Sequence, residues 1–244
     1  MCRHLAYLGP SASLKDVLID PPHGLYRQSW APRRQRFGTV NADGFGVGWY
    51  ADDDPVPARY RREVPIWADD SFADLARVTR TRALLASVRS ASEATAHDAA
   101  AAAPFAADGW LFSHNGRLAG WPASWAGLAA TLSSGELLDL EARVDSALLW
   151  ALVLHRLRSG MEAEAAVLDT LASIQDAGLT GRFNILLTDG RSITASAAGD
   201  TLWYREAAGA VVVASEPADD DPGWQDVPEG AVLTVSIDER IEIR

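Results

Sequence analysis

The sequence predicts an α+β fold on three observations: strand-like runs cluster near both ends, two helical segments lie between them, and no βαβ alternation links the two sets. In the first half, Arg3–Leu8, Phe45–Tyr50, Leu84–Arg89 and Trp110–His114 read as strands. The second half adds Phe183–Thr188, Ser192–Ala197, Thr201–Arg205, Val211–Ser215, Val232–Ile237 and Arg240–Ile243. Asp189-Gly190, between two of these, is a hairpin turn. Strands, then helices, then strands is the order expected of antiparallel sheets covered by helices.

Ser71 with Asp74 three residues on marks a capped start for a short helix. Val144, Leu148 and Leu152, with Leu149, Val153 and Leu157, recur at helical spacing and predict a long helix over Glu141–Arg158. A second helix is expected over Glu162–Asp176, closed by Gly178. The Ala-rich stretch Ala94–Ala107 is broken by Pro104 and reads as a loop with a helical turn. Gly44-Phe45-Gly46-Val47-Gly48 is not a dinucleotide loop, because Trp49 stands where the third glycine of G-x-G-x-x-G falls. Alternating glycines in a strand instead admit another backbone, or a substrate, at close range.

Composition narrows the function. Of 244 residues, 48% are hydrophobic and nine are Trp, ample for a core. No apolar stretch reaches the roughly eighteen residues of a membrane span, and the N-terminus is too short and interrupted for a signal peptide. A single cysteine excludes an internal disulfide framework and fits a reducing cytoplasm. The net charge of −11 argues against a nucleic-acid partner. Arg33, Arg34 and Arg36, flanked by Trp30 and Phe37, form the one basic cluster and suit a small anion or an ion-pair network. The triplets Asp52–Asp54 and Asp219–Asp221 read as solvated loops, so no metal and no cofactor is expected.

The one cysteine, Cys2, directly follows the initiator methionine. If Met1 is removed, one residue carries a thiol nucleophile and an α-amine that titrates near neutrality and can take the thiol's proton. On its own a lone cysteine is more often a small buried hydrophobe. Asn115-Gly116, after the strand Trp110–His114, offers a side-chain amide and a backbone N–H of the kind an oxyanion hole uses, although spacing alone favours an ordinary Asn-Gly turn. Arg89 ends a strand before Ser90-Ala91-Ser92 and can fork a carboxylate, with a hydroxyl adding a further bond. Asp145, early in the long helix, is either a helix N-terminal acid or a receptor for a substrate ammonium. Together Arg89, Ser92, Asp145, Asn115, Gly116 and Cys2 describe a site for a zwitterionic amino acid with a scissile carbonyl.

Met-Cys-Arg-His-Leu, Asn41-Ala42-Asp43-Gly44-Phe45-Gly46-Val47-Gly48, Val88-Arg89-Ser90-Ala91-Ser92, His114-Asn115-Gly116 and Val144-Asp145-Ser146 stand in the order found in class II glutamine amidotransferases, which the chain resembles over nearly its whole length. The resemblance implies one domain over residues 1–244 with the four-layer αββα fold of N-terminal nucleophile hydrolases. It also implies Cys2 as nucleophile, Arg89 on the substrate carboxylate, Asp145 on its amine, and Asn115 with the Gly116 N–H at the oxyanion. Val40 and Asn41 stand where many members carry Arg-Gly, which bears on how the terminal amine is held.

Gln28-Ser29-Trp30-Ala31-Pro32-Arg33-Arg34-Gln35, Ser215-Glu216-Pro217, Asp219–Asp221 and Gly223-Trp224 resemble the branch of this family that removes glutamate from a γ-glutamyl conjugate in ergothioneine biosynthesis. The chain ends soon after its last strands and has no phosphate-binding glycine loop, so neither a synthase domain nor an obligate synthase subunit is expected. The expected partner is a small γ-glutamyl substrate whose leaving side carries a quaternary ammonium, for which Trp30, Tyr7 and Trp224 are aromatic candidates. A glutaminase subunit feeding ammonia to a separate synthase, and a non-catalytic binding relative, are the competing readings.

Overall fold

The computed structural model describes residues 2–91, 98–236 and 241–244. In chain order the elements are β1 (Arg3–Ser13), α1 (Leu14–Leu18), α2 (Leu25–Gln28), β2 (Phe45–Ala51), β3 (Asp54–Arg62), α3 (Phe72–Val78) and β4 (Arg80–Val88). There follow β5 (Phe105–Ala107), β6 (Trp110–Leu118), α4 (Ala126–Ala129), α5 (Ser134–Leu138), α6 (Asp145–Arg158) and α7 (Ala163–Asp176). The chain closes with β7 (Gly181–Thr188), β8 (Ser192–Ser196), β9 (Trp203–Ala207), β10 (Ala210–Ala214), β11 (Gln225–Asp226), β12 (Val232–Ser236) and β13 (Glu242–Ile243).

Two antiparallel sheets result, ordered β11-β9-β10-β1-β4-β2-β3 and β13-β12-β8-β7-β6-β5 among the described residues. Period-two alternation divides the side chains of each strand between two faces. On β1, Ala6 and Leu8 face the second sheet, where they meet Leu111, Leu186 and Leu233. Leu5 and Tyr7 face the other way, onto Leu14 and Leu18 of α1 and Phe72 of α3. Phe112 of β6 and Ile185 and Leu187 of β7 pack against Leu148, Leu149 and Leu152 of α6 and Val167 of α7. The α6 stripe is apolar enough that Ala147 through Leu154 are all buried. Three interlayer cores therefore give four layers, helix–sheet–sheet–helix, the expected αββα architecture. No helix of the described residues is long and apolar enough to cross a membrane.

Several sequence expectations need correction at element ends. The expected helix Glu141–Arg158 begins only at Asp145, because Val144 is extended (φ −128°, ψ 156°). Ser71 makes no side-chain cap bond; the carboxylate of Asp69 accepts from the Ser71 and Phe72 amides instead. The strand expected to stop at His114 runs on through Asn115 and Gly116 to Leu118, since β7 pairs with it throughout, so Asn115-Gly116 is not a turn. Within Ala94–Ala107, the turn falls at Ala99–Ala101 and β5 follows Pro104. Ile237 and Arg240, the expected limits of two late strands, lie outside the described residues.

Other expectations agree. Gly178 takes a left-handed φ of +66° just past α7. Asp189 Oδ1 accepts from the amides of Arg191 and Ser192 in the β7–β8 hairpin. The alternating glycines of β2 admit a neighbouring backbone: a Cβ on Gly46 would lie 2.2 Å from the Ala103 carbonyl oxygen. That contact seats the 101–105 segment over the end of the first sheet, beside Cys2.

Candidate active site

Cys2 immediately precedes β1, the central strand of the first sheet. Arg3 lies opposite Val88 in the antiparallel β1–β4 register, so the next pair outward is Cys2 and Arg89. Arg89 is fixed from its other side. Its amide donates to the Gly44 carbonyl at 2.8 Å and its carbonyl accepts from the Asp43 amide at 2.9 Å. Its guanidinium Nη1 donates to the Asp43 carbonyl at 3.2 Å, and Asp43 Oδ2 accepts from the Ala91 amide at 2.7 Å.

The second sheet supplies the opposite wall. On β6, His114 and Gly116 share one face and Asn115 takes the other. His114 and Gly116 line a cleft together with Cys2, Arg89, Asp145 and Ser146. Asp145 opens α6, where its Oδ1 accepts from the Ser146 amide (2.8 Å) and its Oδ2 from the Leu118 amide (3.1 Å). The carboxylate is thus both the helix N-terminal acid and a wall of the cleft. A guanidinium and a carboxylate facing one cleft are complementary to the carboxylate and ammonium of an amino acid. Gly116 has no room for a side chain, since a Cβ there would lie 1.9 Å from the Arg182 carbonyl oxygen and 2.3 Å from His114 Nε2.

Asn115 is wholly buried. Its Oδ1 accepts from the Cys2 backbone nitrogen at 3.2 Å, while its Nδ2 faces Asp200 Oδ2 at 3.4 Å and Ser215 Oγ at 3.5 Å. Asp200 is in turn paired with Arg3 at 3.0 Å, both side chains fully buried. A carboxylate only accepts, so it selects the Nδ2 edge of the amide and turns Oδ1 toward Cys2. The nitrogen of Cys2 is therefore held by Asn115. Asn41 instead donates to the Gln28 carbonyl and to Gln35 Oε1, bracing the loop ahead of Asp43.

His114 Nε2 donates to the Arg182 carbonyl at 2.8 Å, which leaves Nδ1 to accept from the Ser146 hydroxyl at 2.9 Å. Burial is the main reason its pKa lies below the ordinary 6.5. His4 is buried too, and burial, then the Arg3 and His114 charges, hold it well below the same value. A lowered folded pKa means that the unfolded chain binds protons more readily. The stability contributed by the neutral rings is complete above pH 6.5 and is lost as pH falls through that value. The unfolding free energy from urea titration should fall between pH 7.5 and 5.5, by up to about 1.4 kcal/mol per pH unit for each ring. The fall should shrink in His4→Gln; an equal fall in that variant would exclude His4 as a source.

The cleft brings together Cys2, Arg89, Gly116 and Asp145; Asn115 lies behind Cys2 with its Nδ2 turned to Asp200 and Ser215, not into the cleft as expected of an oxyanion donor, and Ser92 lies outside the described residues. Asp200, Ser215 and Arg3 are supports that sequence reading missed. The aromatic candidates stand elsewhere. Tyr7 donates to the Pro10 carbonyl, Trp224 donates to Asp219, and Trp30 packs edge-on against Tyr26 and Trp67. The basic cluster forms an ion-pair network: Arg33 meets Asp220, the Arg33 and Arg34 amides donate to Glu216, and Arg34 stacks on Trp203. Asp219–Asp221 belongs to that network through Arg205 and is not simply solvated. No group of metal-ligating side chains occurs among the described residues.

A cysteine at position 2, at the mouth of an αββα sandwich and beside an arginine and an aspartate that suit an amino acid, is the arrangement of a glutamine-handling N-terminal nucleophile domain. The sequence profile of "Glutamine amidotransferases class-II" matches residues 23–208, and the chain belongs to that family. It is 42% identical over 235 residues to the "Gamma-glutamyl-hercynylcysteine sulfoxide hydrolase" of Mycolicibacterium smegmatis, covering 96% of each chain. It is 39% identical over 236 residues to the protein of the same name from Mycobacterium tuberculosis, covering 97% of this chain and 93% of that one. Among solved structures, a glutamine aminotransferase class-II domain protein from Silicibacter pomeroyi superposes with a TM-score of 0.73 at 24% identity, over 100% of this chain and 98% of the other. The glutamine phosphoribosylpyrophosphate amidotransferase of B. subtilis gives a TM-score of 0.69 at 17% identity, over 100% of this chain and 49% of its own. These two likenesses concern the fold.

Proposed function

We propose that the protein hydrolyses the γ-glutamyl amide of γ-glutamyl hercynylcysteine sulfoxide, releasing glutamate, as a step of ergothioneine biosynthesis. The observation that supports this most is the 42% identity to a hydrolase of that name across 96% of both chains. The cleft is consistent with it: Arg89 takes the glutamyl carboxylate, Asp145 the ammonium, and the γ-carbonyl lies at Cys2. Cys2 Sγ adds to the γ-carbon and its proton passes to the Cys2 amine. The amine then delivers that proton to the leaving nitrogen as the C–N bond breaks, leaving a γ-glutamyl thioester. Water adds to the thioester, the Cys2 thiolate departs and glutamate forms. The Gly116 N–H stabilises the oxyanion in both steps, while Asn115 holds the Cys2 nitrogen that relays the proton.

On this reading the protein works in the cytoplasm, on a small molecule, as one domain, without metal, cofactor or synthase partner. The test is a comparison of kcat/KM for the sulfoxide conjugate and for glutamine with the purified protein. The conjugate should be favoured; a preference for glutamine would instead identify a glutaminase that feeds a separate synthase. Absence of turnover of either, by wild type and Cys2→Ala alike, would mark a binding protein.

A further inference from the structure

Arg182 stands on β7 two residues from Asn184, hence on the same face and about 7 Å along the strand. Asn184 is the cross-strand partner of Asn115, the residue that holds the Cys2 nitrogen. Among the described residues the Arg182 guanidinium has neither a hydrogen bond nor an ion pair, and its Nε is buried without a partner. Its one neighbour of note is the Phe37 ring, whose centroid lies 4.2 Å from Cζ and which is itself 47% exposed. Phe37 is tied to the site: its carbonyl accepts from Gln35 Nε2, and Gln35 Oε1 accepts from Nε of Arg3, the residue after Cys2. The nearby carboxylates are already engaged, Asp200 by Arg3 and Asp145 by the Leu118 and Ser146 amides.

Directly opposite Arg182 in the β6–β7 register is Arg117. Like charges facing each other across a ladder are unfavourable. A half-buried guanidinium without a counter-ion, facing a second cation, is built for an anion that is not part of the chain. With the glutamyl group held between Arg89 and Asp145, the leaving nitrogen must point away from both, out of the cleft beyond Cys2.

We infer that Arg182, backed by Phe37, binds the α-carboxylate of the leaving amino acid and so selects γ-glutamyl amides of amino acids over glutamine. The inference rests on the γ-glutamyl hydrolase reading, in which the leaving nitrogen belongs to a cysteine derivative with a carboxylate one carbon away. The leaving ammonia of glutamine has none. A guanidinium can fork that carboxylate with two parallel bonds.

The test uses γ-glutamylcysteine and γ-glutamylcysteamine, which differ only in that carboxylate, with glutamine as a third substrate. Wild type should favour the cysteine compound in kcat/KM by roughly ten- to a hundredfold. Arg182→Met should bring the ratio close to one, chiefly through KM, and Arg182→Lys should keep part of it, because the ammonium retains charge without the fork. An unchanged ratio in Arg182→Met overturns the assignment. So does a wild-type ratio near one, which requires no variant to fold. Wild type that consumes glutamine but neither conjugate overturns the hydrolase reading itself, and is distinguished from the other failures by that pattern.

Discussion

Cys2→Ala should lower kcat by about four orders of magnitude or more, measured as glutamate released from the γ-glutamyl conjugate. The size follows from position and from scarcity. Cys2 is the only cysteine in the chain, and it lies in the cleft opposite Arg89 with its nitrogen bonded to Asn115. Replacing it removes the attacking atom while leaving the carboxylate and ammonium subsites intact, so the substrate should still bind and only turnover should vanish. The thiol is partly exposed and contributes little to the core, so the unfolding free energy should move by less than about 1 kcal/mol. Residual activity within tenfold of wild type would exclude Cys2 as the nucleophile. The wild-type protein decides the proton relay. While Met1 is attached, the nitrogen that Asn115 holds is an amide and cannot accept a proton; once Met1 is removed it is an amine. Intact mass should show active protein lacking Met1. Full activity with Met1 retained would leave the thiolate but exclude its own amine as the base.

The parts of the site legible in the sequence were those with a local signature. Cys2 was marked by its place behind Met1, and Asp145 by the apolar stripe that follows it. The four layers came from the resemblance, but most of the longer strands and the two long helices were visible from periodicity alone. What escaped was long-range. Asp200 meets Arg3 across 197 residues and Asn115 across 85, and nothing around Gly199-Asp200-Thr201 distinguishes it from a loop acid. Asn115-Gly116 looked like a turn because that dipeptide favours turns, yet pairing with β7 outweighs the local preference and carries the strand to Leu118. The edge strand β3 was hidden by Pro55 and Pro57 and by its polar side chains, which are features of an edge. Two short helices could have been found: Ser13 with Asp16 and Ser133 with Glu136 are both reciprocal capping boxes.

Asn115→Asp should cost roughly 10²-fold or more in kcat by disturbing the proton relay at the Cys2 nitrogen, and its effect on stability should depend on pH. The substitution keeps the shape of the side chain and keeps an oxygen facing the Cys2 nitrogen. It removes the Nδ2 donor and sets a second carboxylate about where Nδ2 now lies, 3.4 Å from Asp200 Oδ2 in a wholly buried site. Arg3 supplies one positive charge to that pocket, which suffices for one carboxylate. Two cannot both ionise at that separation, so one must stay protonated in the fold, with its pKa raised above the unfolded value. A raised carboxyl pKa makes the folded state bind the extra proton, so the loss relative to wild type should be small near pH 5 and grow to about 3 kcal/mol or more by pH 8. Turnover should fall, because a carboxyl in place of the amide changes the charge beside the Cys2 amine that takes the thiol's proton. Asn115→Ala separates the two effects: it also lacks the donor but adds no charge, so its stability loss should not grow with pH in this way. Wild-type kcat in Asn115→Asp, with a urea midpoint that tracks wild type from pH 5 to 8, would mean that Asp200 does not set the amide's orientation and that the Cys2 nitrogen is held by something else.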